Sequence, residues 1–419
     1  MDIELIREHF TKGWELLQQQ RYEEAVVEYQ VAVKNGPLVA YDPYYHLAIC
    51  YQHRRMYSEA QGYYVSALSM NPADANVFYH AAKCLKDSGH LYAALPLYLK
   101  ALSLDPELAD AKYSLGLLHF FKGNWLEGWK GYSLRGLGSD RAKTEKLTDT
   151  GNLSRWLGGS VPAGSKILVT CEQGMGDVLM VFRFAQWLRQ YFVQVGFTVH
   201  APLVDLCKAN AQEGVEVLRW DTAPVDLTKY THTIALMDLP AAFGAAPDNV
   251  PNKPYLIAPT TNNLALQETL AELDNSKKLK VGIVWQGGKV SVANGRDVDF
   301  ELLLPLIQDT QLSDKVQWVS LQKDIKVDGL SNFINAMLPV QSFVDTAALV
   351  DKLDLVISVD TSVAHLVGAM GKPVWMRGKS TTPWYPNMRI FNEPVPEGWV
   401  QVITAIGKSL RSKLGESTP

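Results

Sequence analysis

A period of 34 to 35 residues runs through the first third of this chain and constrains its fold more than any other feature. Ala25, Ala60, Ala94 and Gly128 follow one another at intervals of 35, 34 and 34 residues, and Tyr29, Tyr64, Tyr98 and Tyr132 keep the same intervals. Ala32, Ala67 and Ala101 come three residues after the tyrosines, followed by Pro37, Pro72 and Pro106. Twelve residues before each first small residue stands another: Gly13, Ala48, Ala82 and Gly116. Self-similarity at such a period marks stacked supersecondary units. Small residues let two antiparallel helices approach, and the tyrosine fills the space beside them. Each proline ends the second helix of its unit because it has no N–H to give. A chance helical bundle would not repeat several independent positions across four units. The fourth unit lacks its closing proline and loses the pattern after Arg135, as a capping unit does.

The period defines a helical repeat region over 1–136. Residues 137–164 are polar and glycine-rich (Gly138, Gly151, Gly158, Gly159) and read as a linker anchored by Trp156. Beyond it the pattern alternates. Short β-rich runs at Lys166–Thr170, Phe197–His200, Glu216–Leu218 and Thr233–Leu236 are separated by helical stretches. A second series comprises Leu279–Trp285, Val316–Leu321, Leu355–Val359 and Pro373–Trp375. Strands alternating with helices predict parallel, doubly wound sheets. The two series, joined near Pro251–Lys278, predict two Rossmann-like lobes, 165–265 and 266–419, with a cleft between them. Ligands of such sheets bind beyond the carboxyl ends of the strands. That rule directs attention to the loops after Thr170, Trp285, Leu321 and Val359.

Composition excludes several classes. The chain has 419 residues, more than one core usually organises. A net charge of −4 gives no global basic field for a nucleic acid. No apolar run approaches the roughly 18 residues of a membrane span, and the start, Met-Asp-Ile-Glu-Leu-Ile-Arg-Glu, lacks the pattern of a signal peptide. Cys50, Cys84, Cys171 and Cys207 are scattered without a CxxC pair, as buried reduced thiols would be. A cytoplasmic location is the expectation.

Four loops carry candidate chemistry. The first reads Cys171-Glu-Gln-Gly-Met-Gly-Asp177-Val-Leu-Met. Gly174 and Gly176 permit a sharp turn and a close ligand approach, and Asp177 opens a helix either as a plain cap or as a functional carboxylate. The second, Trp285-Gln286-Gly-Gly288, offers glycines that could admit a phosphate, with Arg296 downstream as a cation or as a solvated surface residue. The third, Ser320-Leu-Gln322-Lys323, sets an amide and an ammonium at a strand end. The fourth is the richest: Val356-Ile-Ser-Val-Asp360-Thr361-Ser362-Val-Ala-His365, closed by Gly371 and Pro373. Hydroxyls at a helix N-terminus, with His365 one turn on, suit a diphosphate.

Three resemblances attach to these residues. The repeats resemble the tetratricopeptide repeat. Met175-Gly-Asp-Val-Leu is similar to the first-lobe loop of bacterial heptosyltransferases, and Asp360-Thr361 with His365 to the donor-diphosphate motif of that family. Its usual third-position glycine is Ser362 here. Over nearly the whole chain the sequence resembles bacterial tetratricopeptide-repeat glycosyltransferases, relatives of the heptosyltransferase and O-GlcNAc transferase folds. The residues that carry this are Glu127-Gly-Trp129, Glu172–Asp177, Leu236-Met-Asp-Leu-Pro240, Ser320–Lys323, Asp345-Thr-Ala-Ala-Leu349, Ile357–Trp375 and Pro383-Trp-Tyr-Pro386. There are departures. Cys171 stands where that group often has histidine. The run between Trp375 and Pro383 is short, and the stretch before Arg296 is reduced to Val-Ala-Asn-Gly-Arg. The asparagine ladder with which O-GlcNAc transferase grips its acceptor is replaced by Thr11, His46, His80 and Ser114.

The resemblance implies a GT-B-like, inverting transferase that needs no metal or other cofactor and takes a nucleotide-sugar as substrate. Asp177 would be the catalytic base. Gly174, Gly176, Gln286, Arg296, Gln322, Lys323, Asp360, Thr361, Ser362 and His365 would surround the donor. A protein or glycan acceptor, reached through the repeat surface, is the implied partner, and the repeats also allow a homo-oligomer. Two rivals stay open: a non-catalytic scaffold that recruits partners, and a sugar-nucleotide epimerase of similar fold.

Overall fold

The computed structural model describes residues 3–36, 41–135, 150–221, 225–288, 296–378, 382–392 and 398–415. Pro37, Gly138, residues 292–295 of the reduced stretch and residues 379–381 of the short run lie outside these. The chain divides into two compact units, Met1–Lys146 and Leu147–Pro419.

Among its described residues the first unit has eight helices: α1 (Ile3–Gln18), α2 (Tyr22–Asn35), α3 (Asp42–His53), α4 (Tyr57–Met70), α5 (Ala75–Asp87), α6 (Leu91–Leu104), α7 (Ala109–Phe121) and α8 (Trp125–Tyr132). They pack as successive antiparallel pairs, and the periodic residues form the seam. Ala25, Ala60, Ala94, Tyr29, Tyr64, Tyr98, Ala32, Ala67 and Ala101 are all fully buried. A Cβ on Gly13 would stand 2.9 Å from the Tyr29 ring, so the small residue is fixed by its tyrosine. α4 and α6 stop two residues before Pro72 and Pro106. The turn inside each pair also repeats: Gln20, Arg55, Gly89 and Gly123 all have positive φ. Glycine takes that conformation freely, whereas Gln20 and Arg55 are held in it by the helices on either side.

The second unit contains two parallel sheets with interspersed helices. The first has strands β1 (Ser154–Arg155), β2 (Lys166–Thr170), β3 (Gln194–Val199), β4 (Val215–Arg219) and β5 (His232–Ala235), in the order β1-β5-β2-β3-β4. The second has β6 (Leu279–Val284), β7 (Val316–Ser320), β8 (Phe333–Ile334), β9 (Leu355–Ser358), β10 (Val374–Gly378) and β11 (Met388–Asn392), in the order β11-β10-β9-β6-β7-β8. The central strands are continuous apolar runs because helices cover both faces of such a sheet. Ile167, Leu168 and Val169 are buried in one, and Leu355, Val356 and Ile357 in the other. Around the second sheet, Trp285, Trp318, Leu306 and Ile406 build one contiguous core.

One boundary differs from the sequence reading. The end of the expected linker is part of the first sheet: Ser154 and Arg155 pair in parallel with His232 and Thr233. Trp156 beside them is buried against Phe192 and Phe243, and its indole N–H donates to Gly159 O at 3.0 Å. Two polar residues show no alternation, so this pairing is set by the neighbouring strand and by the Trp156 anchor.

Strand order locates the crevices. In the first sheet the winding reverses between β2 and β5, and in the second between β6 and β9. The carboxyl ends lie level, since Thr170 pairs with Ala235, Val284 with Ser358 and Ile283 with Ser320. Reversal points are where open parallel sheets leave room for a ligand.

Candidate functional site

The loop after β2 runs into the helix Met175–Val181. Asp177, on its first turn, accepts the backbone N–H of Gly174 at 3.1 Å through Oδ2. This is one half of a capping box; Gly174 has no side chain to complete the other. Burial raises the Asp177 carboxyl above the ordinary aspartate range, with His365 pulling the other way. The base of the loop is tied down. Glu172 Oε1 accepts Met237 N at 3.1 Å, and His200 Nε2 stands 2.6 Å from Gln173 O and 3.4 Å from Cys171 Sγ. Trp220 donates to His200 Nδ1 at 3.1 Å, so the Nε2 of a neutral His200 carries the proton that reaches Gln173 O. Burial pushes the Cys171 thiol up to about 12, which makes it a packed thiol rather than a nucleophile.

Three neighbouring strands of the second sheet deliver the other candidates. After β9, Thr361 caps the helix Ser362–Ala369: its Oγ1 accepts from Ala364 N at 3.5 Å and sits 3.1 Å from Ser358 Oγ. Asp360 is half-exposed and lies between two bases. Arg296 Nη1 donates to its Oδ2 at 3.1 Å, and His365 Nε2 lies 3.7 Å from its Oδ1. His365, then Arg296, hold its carboxyl below the ordinary range. After β6, Gln286 is exposed. After β7, Lys323 is exposed, while Gln322 is buried, and the Gln322 carbonyl accepts the backbone N–H groups of Trp285 and Gln286 at 3.2 and 3.0 Å. Gln322 therefore joins the β6 and β7 loops, leaving only its amide N–H groups for any ligand.

The two sheets' loops meet. A Cβ on Gly176 would stand 2.8 Å from His365 Cδ2 and 3.6 Å from Ser362 Cα, so only glycine allows this approach. Asp177, from one reversal point, thus lies one residue from the point where the helix of the other packs. Two residues that sequence reasoning did not assign complete the junction. Tyr385 places its hydroxyl 3.0 Å from His365 Nδ1. Arg183 is buried, donates to Met180 O, Pro251 O, Trp384 O and the Tyr255 hydroxyl, and its guanidinium lies 4.8 Å from the centre of the Tyr385 ring. Tyr385 stands in Pro383-Trp-Tyr-Pro386, one of the stretches that carry the resemblance, but no sequence feature assigned it a role of its own. Arg183 lay in an apolar helix without any signal. Among the described residues, no group of three or more His, Cys, Asp or Glu is arranged to hold a metal ion, and no helix is long and apolar enough to cross a membrane.

Comparison with known proteins identifies the repeats. The tetratricopeptide repeat family matches residues 75–108, which span α5 and α6, and the chain carries tetratricopeptide repeats. Protein FlbA of Caulobacter vibrioides is 25% identical over 350 residues, 73% of this chain and 55% of its own. The chain thus spans about half the length of that curated relative. Among solved structures, MamA is 19% identical over 34% of this chain and 81% of its own, with a TM-score of 0.30. A thermophilic TPR protein in Thermus thermophilus is 16% identical over 32% and 75%, with a TM-score of 0.29. The Yersinia enterocolitica type III secretion chaperone SycD, in complex with a peptide of the translocator YopD, is 21% identical over 28% and 95%, with a TM-score of 0.27.

Proposed function

We propose that Leu147–Pro419 is a GT-B-like, inverting glycosyltransferase that moves a sugar from a nucleotide-sugar to a protein or glycan acceptor without a metal ion. The observation that carries this reading is the convergence at Gly176 and His365. There the helix that carries Asp177 packs against the turn that carries Ser362 and His365, beside the Asp360–Arg296 pair. The acceptor hydroxyl oxygen bonds to the anomeric carbon as the bond from that carbon to the diphosphate oxygen breaks. The acceptor proton passes to Asp177, whose burial makes it a better base than an ordinary aspartate. The negative charge on the departing diphosphate is met by Arg296, Lys323, the Thr361 and Ser362 hydroxyls, His365 and the helix N-terminus. Asp360, already paired with Arg296 and facing His365, orients those groups rather than opposing the phosphate. The repeats present the acceptor or join two copies of the chain. The four cysteines are all free and buried, which fits a reducing, cytoplasmic setting.

The test is release of free nucleoside diphosphate together with transfer of the intact sugar, screened over nucleotide-sugars in the presence of EDTA. Asp177→Asn keeps an acceptor for Gly174 N but removes the base, so transfer should fall by roughly 10²–10⁴-fold while diphosphate binding persists. A second reading, a nucleotide-binding scaffold, is favoured by the bond that already occupies Asp177. Diphosphate binding with no transfer from any donor would select it. Strict dependence on an added divalent ion would overturn the metal-independent mechanism.

A further inference from the structure

We infer that Tyr385 is a positioning residue: its hydroxyl donates to His365 Nδ1, fixing the proton on Nε2 and aiming that N–H at the crevice beside Asp360. The inference rests on the proposed diphosphate site for its purpose, but its geometry stands independently. The Tyr385 hydroxyl is 3.0 Å from His365 Nδ1, and the side chain is buried. Either ring nitrogen or phenol could be the donor at that distance. Hydrogen-bond satisfaction decides between them. If Nδ1–H were the donor, the phenolic O–H of Tyr385 would need another acceptor in a buried setting. The neighbouring oxygen is the Tyr255 hydroxyl, which donates to Leu179 O at 2.7 Å and accepts from Arg183 Nη2 at 3.1 Å. The Tyr385 and Tyr255 hydroxyls also interact with each other, and the tautomer is decided at the other ring nitrogen: Nε2 faces the Asp360 carboxylate, which can only accept, so the ring proton sits on Nε2 and Nδ1 is left to accept the Tyr385 O–H. The Arg183 guanidinium lies 4.8 Å from the centre of the Tyr385 ring, but burial dominates and raises the phenol well above its ordinary range, so the hydroxyl keeps the proton it donates.

The ring has little freedom to turn. On one side stands the backbone of Gly176, with 2.8 Å between a notional Cβ and His365 Cδ2. On the other, the Tyr385 ring meets it at 64°, with centroids 5.7 Å apart. Nε2 is left 3.7 Å from Asp360 Oδ1, beyond a hydrogen bond, so its proton remains available to an anion entering beside Thr361. Tyr385 in turn is seated on Arg183, whose donor to Met180 O lies at the end of the Asp177 helix. The residue that sets the His365 proton is thus tied to the element that carries Asp177.

Two measurements test this on the full chain. Imidazole ¹⁵N spectra at pH 8, with His365→Gln used to assign the signal, report which ring nitrogen carries the proton. Wild type should carry it on Nε2, and Tyr385→Phe should shift the signal toward a mixture of tautomers. A wild-type proton on Nδ1, or an unchanged signal in Tyr385→Phe, would overturn the inference without bearing on glycosyl transfer. In parallel, ADP, GDP and UDP are titrated by calorimetry. Loss of one neutral hydrogen bond predicts about three- to tenfold weaker binding of the preferred diphosphate in Tyr385→Phe. In a His365→Gln background, where the amide replaces Nε2 without needing a partner at Nδ1, Tyr385→Phe should have no further effect. An equal loss in both backgrounds would make Tyr385 merely structural. If no diphosphate binds wild type, the diphosphate reading fails, and the spectra still decide the role of Tyr385.

Discussion

Replacing Gly176 with alanine sets two effects of opposite sign against each other. Alanine favours a helix over glycine by roughly 0.5–1 kcal/mol, and less at the second residue of a helix than in its interior. The new methyl would stand 2.8 Å from His365 Cδ2 and 3.4 Å from Nε2, whereas carbon atoms rest about 3.5–4.0 Å apart. The ring cannot swing away without leaving Tyr385, and the Ser362 backbone is 3.6 Å off on the same side. The helices must therefore separate by several tenths of an ångström, an overpacking that costs about 1–3 kcal/mol. The contact should win, leaving unit Leu147–Pro419 destabilised by about 1–2 kcal/mol. Hydrogen exchange of the β6 and β9 amides, with the repeat helices as internal reference, would measure it. His365→Ala should relieve the clash, so the double variant should lose much less than the sum of the single ones. A Gly176→Ala protein that is more stable than wild type, with effects additive to His365→Ala, would refute the close approach on which the site is built.

Other outcomes follow from the same geometry. Arg183→Met would strand buried carbonyls at Pro251 and Trp384, and the second unit should lose about 3 kcal/mol or more of stability on denaturation; a change under about 1 kcal/mol would make the guanidinium incidental. Burial lowers the His80 imidazole to about 3, while an unfolded histidine titrates near 6.5. Between those values the unfolded state holds more protons, so the repeats should lose stability as pH falls from about 6.5, by at most ~1.4 kcal/mol per pH unit. Helix-resolved hydrogen exchange at pH 7 and pH 5 would detect this, and His80→Phe should flatten the dependence.

The repeats were legible because their signal is a packing requirement: only small residues fit where α1 meets the Tyr29 ring, and that need recurs at a fixed interval. β2, β6, β7 and β9 were legible as apolar runs, which burial on both faces demands. The loops after them were legible because glycine, hydroxyl and carboxylate groups cluster at strand ends. What escaped was decided by distant neighbours. Ser154–Arg155 has no pattern of its own and becomes a strand through β5. Met388–Asn392, at the opposite edge of the other sheet, likewise takes its form from β10. Gln322 looked like a ligand group, but its carbonyl serves two backbone N–H groups across the sheet. His46, read as a missing rung of an asparagine ladder, packs among Phe10, Trp14, Tyr29 and Tyr45 with Nδ1 on Asp42 O. No one-dimensional pattern distinguishes those environments from an exposed loop.

The two-residue strand β1 also fixes where this chain can be cut and rejoined. A recombination that exchanged the repeat array at the first long strand, Lys166, would strip the edge pairing from β5 and remove Trp156 from its aromatic seat. The bared rim of β5 would then offer unpaired N–H and C=O groups to any other extended segment. The inheritable module therefore begins before Ser154. Shuffled arrays of different length can be grafted without opening the sheet only if the junction falls upstream of that residue.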